Sequence, residues 1–457
     1  MLPPRDIENR VTKVYERLAR YIPPRETWTP AEEALFNSTD PLRVPLGEAR
    51  TTQLKAIKYT FSHHYALNPF YRKYSDTRGV TPDDIKTYDD LEKIPLLPDL
   101  TFKQHPSGVE FAHWIASVYT GELPTVVIDA PDPTFDDIIN AFNAVGLAVF
   151  LSAGTSGRHT VIPRDTRTYS ICEYGASKTA LYMLGDGFLA DHSLALSPNP
   201  AQSNLWVAKG PAFVSDLCED TFHGLDFQIS ADSAIEHMSK NGQNKNVPLS
   251  PQVRAQKIIE NAIKWLERYD KTTDTISLAA FPFLLREIMD ALEREGKSFE
   301  FGERGAVLTG GGWKISEDKR ISPAGFWKRV EEMLGIPETR SFDMYGMVEL
   351  NGVAFTCSEG HYFHVPYTWL KPLILDKGLM PAGYDEWGRF AFLDGLAWSY
   401  PGFIMSGDEA RMLEHCPVCD RPGPVLEPEV QRAPSEEVRG CAEEVRRILA
   451  LDLEGKK

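Results

Sequence analysis

The chain has 457 residues, of which 42% are hydrophobic, 11% aromatic and 25% charged, so disorder, coiled coil and collagen are excluded for its bulk. This length predicts two or three domains, since typical domains hold roughly 100–200 residues. Lysine and arginine number 49 against 65 aspartate and glutamate, and the formal net charge of −16 disfavours broad binding to nucleic acid or anionic membranes. An anionic small ligand therefore needs a local device, such as a metal ion, an amide nest or a few placed cations.

Nothing in the sequence predicts export or a membrane span. The longest strongly apolar run, 145–151, is far shorter than the roughly 20 residues that a spanning helix needs. The opening residues lack the hydrophobic segment of a secretion signal. Six cysteines are too sparse for a disulfide framework. We therefore expect a soluble, cytoplasmic protein of enzyme size.

Residues 1 to about 105 predict mostly helices with proline-rich joints, such as Asn68-Pro69 and Thr81-Pro82. From about 107 to 405, short apolar runs alternate with longer helical patterns, which predicts α/β layers. The residues after Asp408 are proline-rich and too few for a full domain. The predicted elements are strands at Leu147–Ser152, Thr275–Ala280 and Ala306–Thr309, a helix opened by Ser322-Pro323 and closed by Gly335, and a last helix near 434–451.

A loop rich in serine, threonine and glycine follows the first predicted strand. Gly154 and Gly157 allow tight turns in which successive amides face a phosphate group. Ser152, Thr155 and Ser156 add hydroxyl donors. An ordinary turn accounts for these residues equally well. No Gly-Lys-Ser/Thr follows at the spacing of a Walker loop, which weakens kinase and GTPase interpretations.

Three later segments change this balance. Leu308–Lys314 leads a strand into Gly310–Gly312, which suits close approach of a flat ring to the backbone. Phe342–Glu349 places an aromatic residue, a glycine and a carboxylate together, and Ser406–Asp408 follows. Each segment alone is more often structural than functional. Their order and spacing are hard to explain as coincidence.

This order resembles that of the adenylate-forming enzymes, the superfamily of acyl-CoA synthetases, luciferase-type enzymes and nonribosomal adenylation domains. More narrowly, the chain resembles the acyl-protein synthetases of bacterial luminescence fatty-acid reductase complexes, and next the phenylacetate-CoA ligases. The resemblance implies an α/β fold, with a large adenylation domain of layered α/β subdomains at 1–405 and a short, truncated C-terminal segment at 406–457. Similarity runs from about Thr29 to Leu449 and includes Asn68–Tyr71, Asp84–Pro95, Gly360–Pro366 and Arg439–Cys441.

The resemblance also implies a role for each motif in binding ATP. A carboxylate that attacks the α-phosphate needs its charge neutralised by Mg²⁺ and by hydrogen-bond donors while pyrophosphate leaves. Glu349 and Thr155 are thereby implied as catalytic. The resemblance assigns the ATP phosphates to Ser152, Gly154, Thr155, Ser156 and Gly157, the adenine and acyl pockets to Gly310, Gly311 and Gly312, the adenine face to Tyr345 beside Gly346, Mg²⁺ to Glu349, and the ribose hydroxyls to Asp408 and Arg432.

The chain departs from the family pattern in three places. Val348 replaces the usual threonine of Tyr-Gly-x-Thr-Glu, which removes a hydroxyl donor at the α-phosphate. Gln431 replaces the usual glycine before Arg432. Only a short segment follows Asp408, and no lysine matches the catalytic lysine of the family's C-terminal domain. These departures predict slow adenylation and argue against coenzyme A, which normally needs that mobile domain.

The cysteines suggest two further sites. Cys416 and Cys419 place two thiolates on a tight turn, which is half of a tetrahedral zinc site. Related ligases have cysteine and histidine near residue 360, so the resemblance points to Cys357 with His364, or with His361, as the other half. A structural zinc would pin the tail to the large domain. The alternatives are a reduced, metal-free pair and a redox pair.

Cys441 matches the cysteine that luminescence acyl-protein synthetases acylate, and Arg439 beside it favours a thiolate. The alternative is a small buried apolar residue on the last helix. Taken together, the expectation is ATP- and Mg²⁺-dependent activation of a fatty or aryl acid to acyl-AMP, followed by transfer to a thiol. An acyl reductase or acyl-carrier protein is the implied partner. A phenylacetate-type CoA ligase and a non-catalytic subunit that binds acyl-adenylate are the other possibilities.

Overall fold

The computed structural model describes residues 4–152, 159–225, 232, 251–313 and 320–433. The chain divides into two compact units. The first unit holds the described residues of 1–20, 176–346 and 355–361. The second unit holds the described residues of 21–175, 347–354 and 362–457.

The described helices and strands, numbered in chain order, alternate as the α/β expectation requires. The helices are α1 (Pro4–Leu18), α2 (Pro30–Asn37), α3 (Leu46–Leu67), α4 (Pro69–Asp76), α5 (Leu100–Lys103), α6 (Val109–Val118), α7 (Phe135–Ala144), α8 (Thr166–Leu184), α9 (Trp206–Lys209), α10 (Val214–Leu217), α11 (Pro251–Tyr269), α12 (Pro282–Arg294) and α13 (Pro323–Leu334). The strands are β1 (Leu97–Pro98), β2 (Leu147–Leu151), β3 (Val161–Asp165), β4 (His192–Pro198), β5 (Asp220–Leu225), β6 (Ile276–Ala280), β7 (Gly305–Gly310), β8 (Ser341–Tyr345), β9 (Ala354–Thr356), β10 (Phe363–His364), β11 (Leu370–Leu375), β12 (Trp387–Asp394), β13 (Phe403–Leu413), β14 (Val425–Leu426) and β15 (Gln431–Arg432).

The first unit contains a parallel sheet in the order β5, β4, β6, β7, β8. Helices α11, α12 and α13 contribute to one core with these strands, because each has an apolar stripe at helical spacing. Leu285, Ile288 and Leu292 of α12 are fully buried there, as are Leu278 of β6 and Val307 of β7. A parallel sheet brings the carboxyl ends of its strands to one edge, where ligands of α/β proteins bind.

The second unit contains an antiparallel arrangement around β13. This strand pairs with β12, β14 and β15 in antiparallel fashion and with β1 in parallel fashion. Strand β11 extends the sheet beside β12, and β2 pairs with β3 separately. Strand β13 crosses residue 405, where the sequence places the domain boundary, and that boundary stays a prediction.

Local signals in the sequence match the ends of several helices. Asn68 ends α3 and caps α4, since its Oδ1 accepts the Tyr71 N–H at 2.9 Å. Ser322 caps α13, and Gly335 ends that helix in the left-handed conformation with φ of 66°. These predicted helix ends are confirmed. The helix predicted near 434–451 lies outside the described residues.

No helix in the part of the chain that the structure describes is both long and apolar enough to cross a bilayer.

Candidate active site and metal group

The base of the predicted phosphate loop is fixed by hydrogen bonds in the second unit. The Ser152 N–H donates to Thr160 O, and the Thr160 N–H donates to Ser152 Oγ, both at 2.9 Å. A ring nitrogen of His159 lies 2.6 Å from Ser152 O. These bonds continue the pairing of β2 with β3 beyond the strand ends. The loop residues Gly154, Thr155, Ser156 and Gly157 lie outside the described residues.

Glu349, the predicted Mg²⁺ ligand, is 6% exposed in the same unit. Burial raises the pKa of its carboxyl group, the charge of Lys103 lowers it, and the charge of Asp99 raises it again. A hydrogen bond from the Thr160 side chain also favours the ionised form. Thr160 therefore contacts both the base of the predicted phosphate loop and the predicted metal ligand.

Asp99 and Lys103 are functional candidates that the sequence did not reveal. They form an ion pair one helical turn apart, and their side chains are only 7% and 14% exposed. The Asp99 N–H donates to Met405 O at 2.9 Å, directly after β1 pairs with β13. An i,i+4 pair of opposite charges usually lies on a solvated helix face, so its spacing alone gave no signal.

Gly407 allows this ion pair to approach β13 closely. A Cβ atom at residue 407 would lie 2.8 Å from Asp99 Oδ2 and 3.6 Å from Lys103 Nζ. The motif Ser406–Asp408 thus needs its central glycine for packing. Next to it, Asp408 lies opposite Arg432 in the ladder between β13 and β15, and Arg432 Nη1 donates to Asp408 Oδ1 at 2.8 Å. The two predicted ribose ligands are therefore neighbours.

The first unit brings together the residues predicted for adenine. Strands β7 and β8 are parallel neighbours, with Gly310 opposite Met344 in the register. A Cβ atom on Gly310 would lie 2.5 Å from Met344 Cγ, so only glycine fits there. Gly311 and Gly312 follow with φ of 75° and 65°, values that favour glycine. Tyr345 ends β8 and Gly346 follows it, at the carboxyl edge of the sheet.

The buried Asp343 joins these two strands. The Thr309 hydroxyl donates to Asp343 Oδ1 at 2.9 Å, and the Met344 N–H donates to the same oxygen at 3.0 Å. Burial raises the pKa of Asp343 to about 6, although both hydrogen bonds lower that pKa. The carboxylate therefore stabilises the ends of β7 and β8, the ends from which the predicted adenine residues extend.

His364, Cys416 and Cys419 form a compact group in the second unit, with ligand atoms all within 4.8 Å of one another. Cys419 Sγ lies 3.4 Å from His364 Nε2. Burial lowers the pKa of His364 to about 3, aided by the charge of Arg421, so the ring is neutral as a metal ligand must be. Two thiols and one imidazole at this spacing match three of the four donors of a tetrahedral structural zinc, and Cys357 stays the predicted fourth ligand.

His361, the alternative ligand in the sequence analysis, interacts with two residues of the first unit, Glu338 and Trp327. Its Nε2 lies 3.1 Å from Glu338 Oε1, and its ring stacks on Trp327 with centroids 5.6 Å apart. The group in the second unit contains His364 and not His361. Cys441, the candidate acyl acceptor, lies outside the described residues.

Comparison with known proteins agrees with the motifs. Residues 251–450 match the family described as Acyl-protein synthetase, LuxE. The predicted resemblance is confirmed. The chain is 24% identical over 422 residues to the long-chain-fatty-acid–luciferin-component ligase of Vibrio harveyi, covering 91% of this chain and 92% of that protein. The Aliivibrio fischeri ligase of the same name is 24% identical over 414 residues, covering 89% and 91%.

The phenylacetate-coenzyme A ligase of Aromatoleum evansii matches a shorter stretch, with 33% identity over 117 residues, 24% of this chain and 26% of that ligase. Among solved structures, 2-hydroxyisobutyryl-CoA ligase in an open conformation superposes with a TM-score of 0.57 at 14% identity, covering 90% of this chain and 76% of that one. The fold is therefore that of the adenylate-forming ligases, as predicted.

Proposed function

We propose that this protein activates a fatty acid with ATP and passes the acyl group to a thiol. One carboxylate oxygen of the acid bonds to the α-phosphorus as the bond from that phosphorus to pyrophosphate breaks, which gives acyl-AMP. The thiolate sulfur then bonds to the acyl carbon, and AMP leaves. Relatives that match nearly the full chain are named for long-chain fatty acids, whereas the phenylacetate ligase matches about a quarter, 24% of it. This difference favours a fatty acid over an aryl acid.

The observation that carries the proposal is the grouping around Glu349 in the second unit. Its buried carboxylate lies near Asp99, and carboxylate oxygens are the donors that Mg²⁺ prefers in proteins. Bound Mg²⁺ would neutralise negative charge on the phosphates of ATP. Lys103 adds a positive charge beside Glu349, and we assign it to the α-phosphate of ATP. Thr160 orients Glu349 relative to the phosphate loop.

The ribose and the adenine have separate assignments in this proposal. Asp408 accepts hydrogen bonds from the ribose hydroxyls, and Arg432 orients that carboxylate. Gly310–Gly312 and Tyr345 are assigned to adenine, and Thr155 with the rest of its loop to the phosphates.

The acyl acceptor in the proposal is a protein thiol, with Cys441 as the first candidate. A partner acyl reductase would then receive the acyl group. Structural Zn²⁺ held by His364, Cys416 and Cys419, with Cys357 as the predicted fourth ligand, would add to the stability of the folded chain. The alternative acceptor is coenzyme A, as in the phenylacetate ligase that matches part of the chain.

Pyrophosphate exchange into ATP, measured over a panel of fatty and aryl acids, tests the first step. We expect exchange that depends on a fatty acid and on Mg²⁺. Mass spectrometry after incubation with acid and ATP tests the second step, with an acyl adduct expected in the wild type and absent from Cys441→Ser. No exchange with any acid, while ATP still binds, would refute the proposed activity. Rapid acyl-CoA formation without an adduct would assign coenzyme A as the acceptor.

A further inference from the structure

A buried polar network holds the turn that carries Glu349. Arg164 on β3 is fully buried, and its Nη2 donates to Val348 O at 2.6 Å and to Leu350 O at 3.3 Å. Tyr400 is also fully buried, and its hydroxyl donates to Glu349 O at 2.9 Å. The backbone carbonyls of three consecutive residues are therefore each bound by a side chain.

Asn351 connects these two side chains. Arg164 Nε donates to Asn351 Oδ1 at 2.7 Å, and Asn351 Nδ2 donates to the Tyr400 hydroxyl at 3.0 Å. The Asn351 backbone N–H donates to Asp394 Oδ2 at 2.7 Å. Burial raises the pKa of Asp394, while the bonds from Asn351 and the charge of Arg164 lower it. A buried guanidinium and a buried carboxylate thus share one hydrogen-bonded network, which offsets part of their desolvation cost.

The same network packs against the elements that carry other site candidates. The Arg164 guanidinium lies 5.5 Å from the ring centroid of Phe150, on the strand that leads to Ser152. The Tyr400 ring meets the edge of Phe102, the neighbour of Lys103, with centroids 6.2 Å apart. A shift of the network would therefore disturb several of the proposed ATP contacts in this unit.

We propose that Arg164 and Tyr400 are positioning residues that orient the Glu349 carboxylate for Mg²⁺. This inference rests on the proposed function of Glu349. Groups that bind a metal need support from neighbours that hold them within about 0.5 Å of the productive geometry. Here the support acts through backbone carbonyls on both sides of the ligand. Because these contacts need no particular side chain at residue 348, the turn tolerates Val348 in place of threonine.

The test compares two variants, each of which replaces one buried tyrosine with phenylalanine and so removes one buried hydroxyl group. Tyr400→Phe removes the bond to Glu349 O, whereas Tyr367→Phe removes the bond from another buried tyrosine to Val44 O. The first readout is the Mg²⁺ concentration that gives half-maximal pyrophosphate exchange at saturating ATP. The second readout is Mn²⁺ binding in the presence of ATP, followed by electron paramagnetic resonance, which needs no turnover.

We expect Tyr400→Phe to require about tenfold more Mg²⁺ and to bind Mn²⁺ about tenfold more weakly, as loss of a supporting contact usually does. Tyr367→Phe should match the wild type in both readouts. Arg164→Lys keeps the positive charge but loses the planar guanidinium that donates several hydrogen bonds at once. This variant should need still more Mg²⁺ and bind Mn²⁺ still more weakly than Tyr400→Phe. Equal metal dependence in the two tyrosine variants would overturn the inference. If the wild type shows no exchange, the proposed activity fails, and the Mn²⁺ comparison still decides the role of Tyr400.

Discussion

Arg432 Nη1 lies 2.8 Å from Asp408 Oδ1, and the two residues face each other across β13 and β15. The Arg432 side chain is 68% exposed, and the Asp408 side chain is 16% exposed. An exposed ion pair contributes about 0–1 kcal/mol to stability. The pair therefore contributes little to stability, and its proposed role is binding of the ribose.

Arg432→Ala should raise the KM for ATP about tenfold, since a bond to a charged group contributes roughly 1.5–3 kcal/mol. The free energy of unfolding should change by less than about 1 kcal/mol. Pyrophosphate exchange at varied ATP measures the first quantity, and urea unfolding the second. Arg411→Ala is the control, because Arg411 lies on β13 with Asp408 and forms a different ion pair, with Glu427 at 3.0 Å. Equal KM values for the two variants would contradict the ribose assignment.

Lys103→Met should lower the exchange rate about 100-fold, because it removes the cation assigned to the α-phosphate. Lys93→Met is the control, since Lys93 pairs with Asp90 on the surface and its side chain is 58% exposed. Exchange rates at saturating substrates measure the effect, and circular dichroism checks that both variants are folded. A folded Lys103→Met variant with the wild-type rate would show that this lysine only stabilises Asp99.

Zinc content tests the cysteine–histidine group. Freshly purified protein should contain close to one equivalent of zinc by elemental analysis, and Cys416→Ala should lose most of it. The free energy of unfolding should fall by about 3 kcal/mol as the metal is lost. Cys172→Ala is the control, because Cys172 is equally buried but lies outside the group. Wild-type protein with less than about half an equivalent would count against a structural zinc.

Stability should depend on pH partly through His63. Burial lowers the pKa of His63 from its ordinary 6.5 to about 4, although a hydrogen bond with Trp398 O raises that pKa. The unfolded chain therefore binds a proton before the folded chain does, and stability falls as the pH drops from about 7 toward 4. His63→Gln should make the free energy of unfolding less dependent on pH in this window. Urea unfolding at several pH values measures this slope.

His113→Gln is the control for the histidine experiment, since the His113 side chain is 52% exposed. The neighbouring His64 is fully buried, and burial lowers its pKa as well, so the His63 variant should keep part of the acid sensitivity. An unchanged slope in His63→Gln would mean that His63 takes up its proton equally in both states.

The sequence predicted the linear motifs but not the neighbours that complete them. The signals at Asn68, Ser322 and Gly335 depend on a few adjacent residues, so they were readable and are confirmed. Asp99 reaches β13 only because β1 pairs with that strand in one particular register. Register between distant strands depends on the packing of the whole sheet, which a single sequence does not display.

The burial of polar residues is another property that depends on packing and was not predicted from the sequence. Arg164 reads in the sequence as an ordinary charged residue, which would most often be exposed. Its full burial and its bonds to Val348 O and Leu350 O follow from the pairing of β2 with β3 and from the packing of Tyr400. No periodicity or motif spacing carries that information.

Strand β13 sets the spacing between Asp99, Asp408 and Arg432 through main-chain ladders to β1 and β15. Main-chain hydrogen bonds are the same whatever the side chains, so these three positions can keep their geometry while most surrounding residues are exchanged. Inserting or deleting a single residue in β13 would therefore do more harm than many substitutions along it.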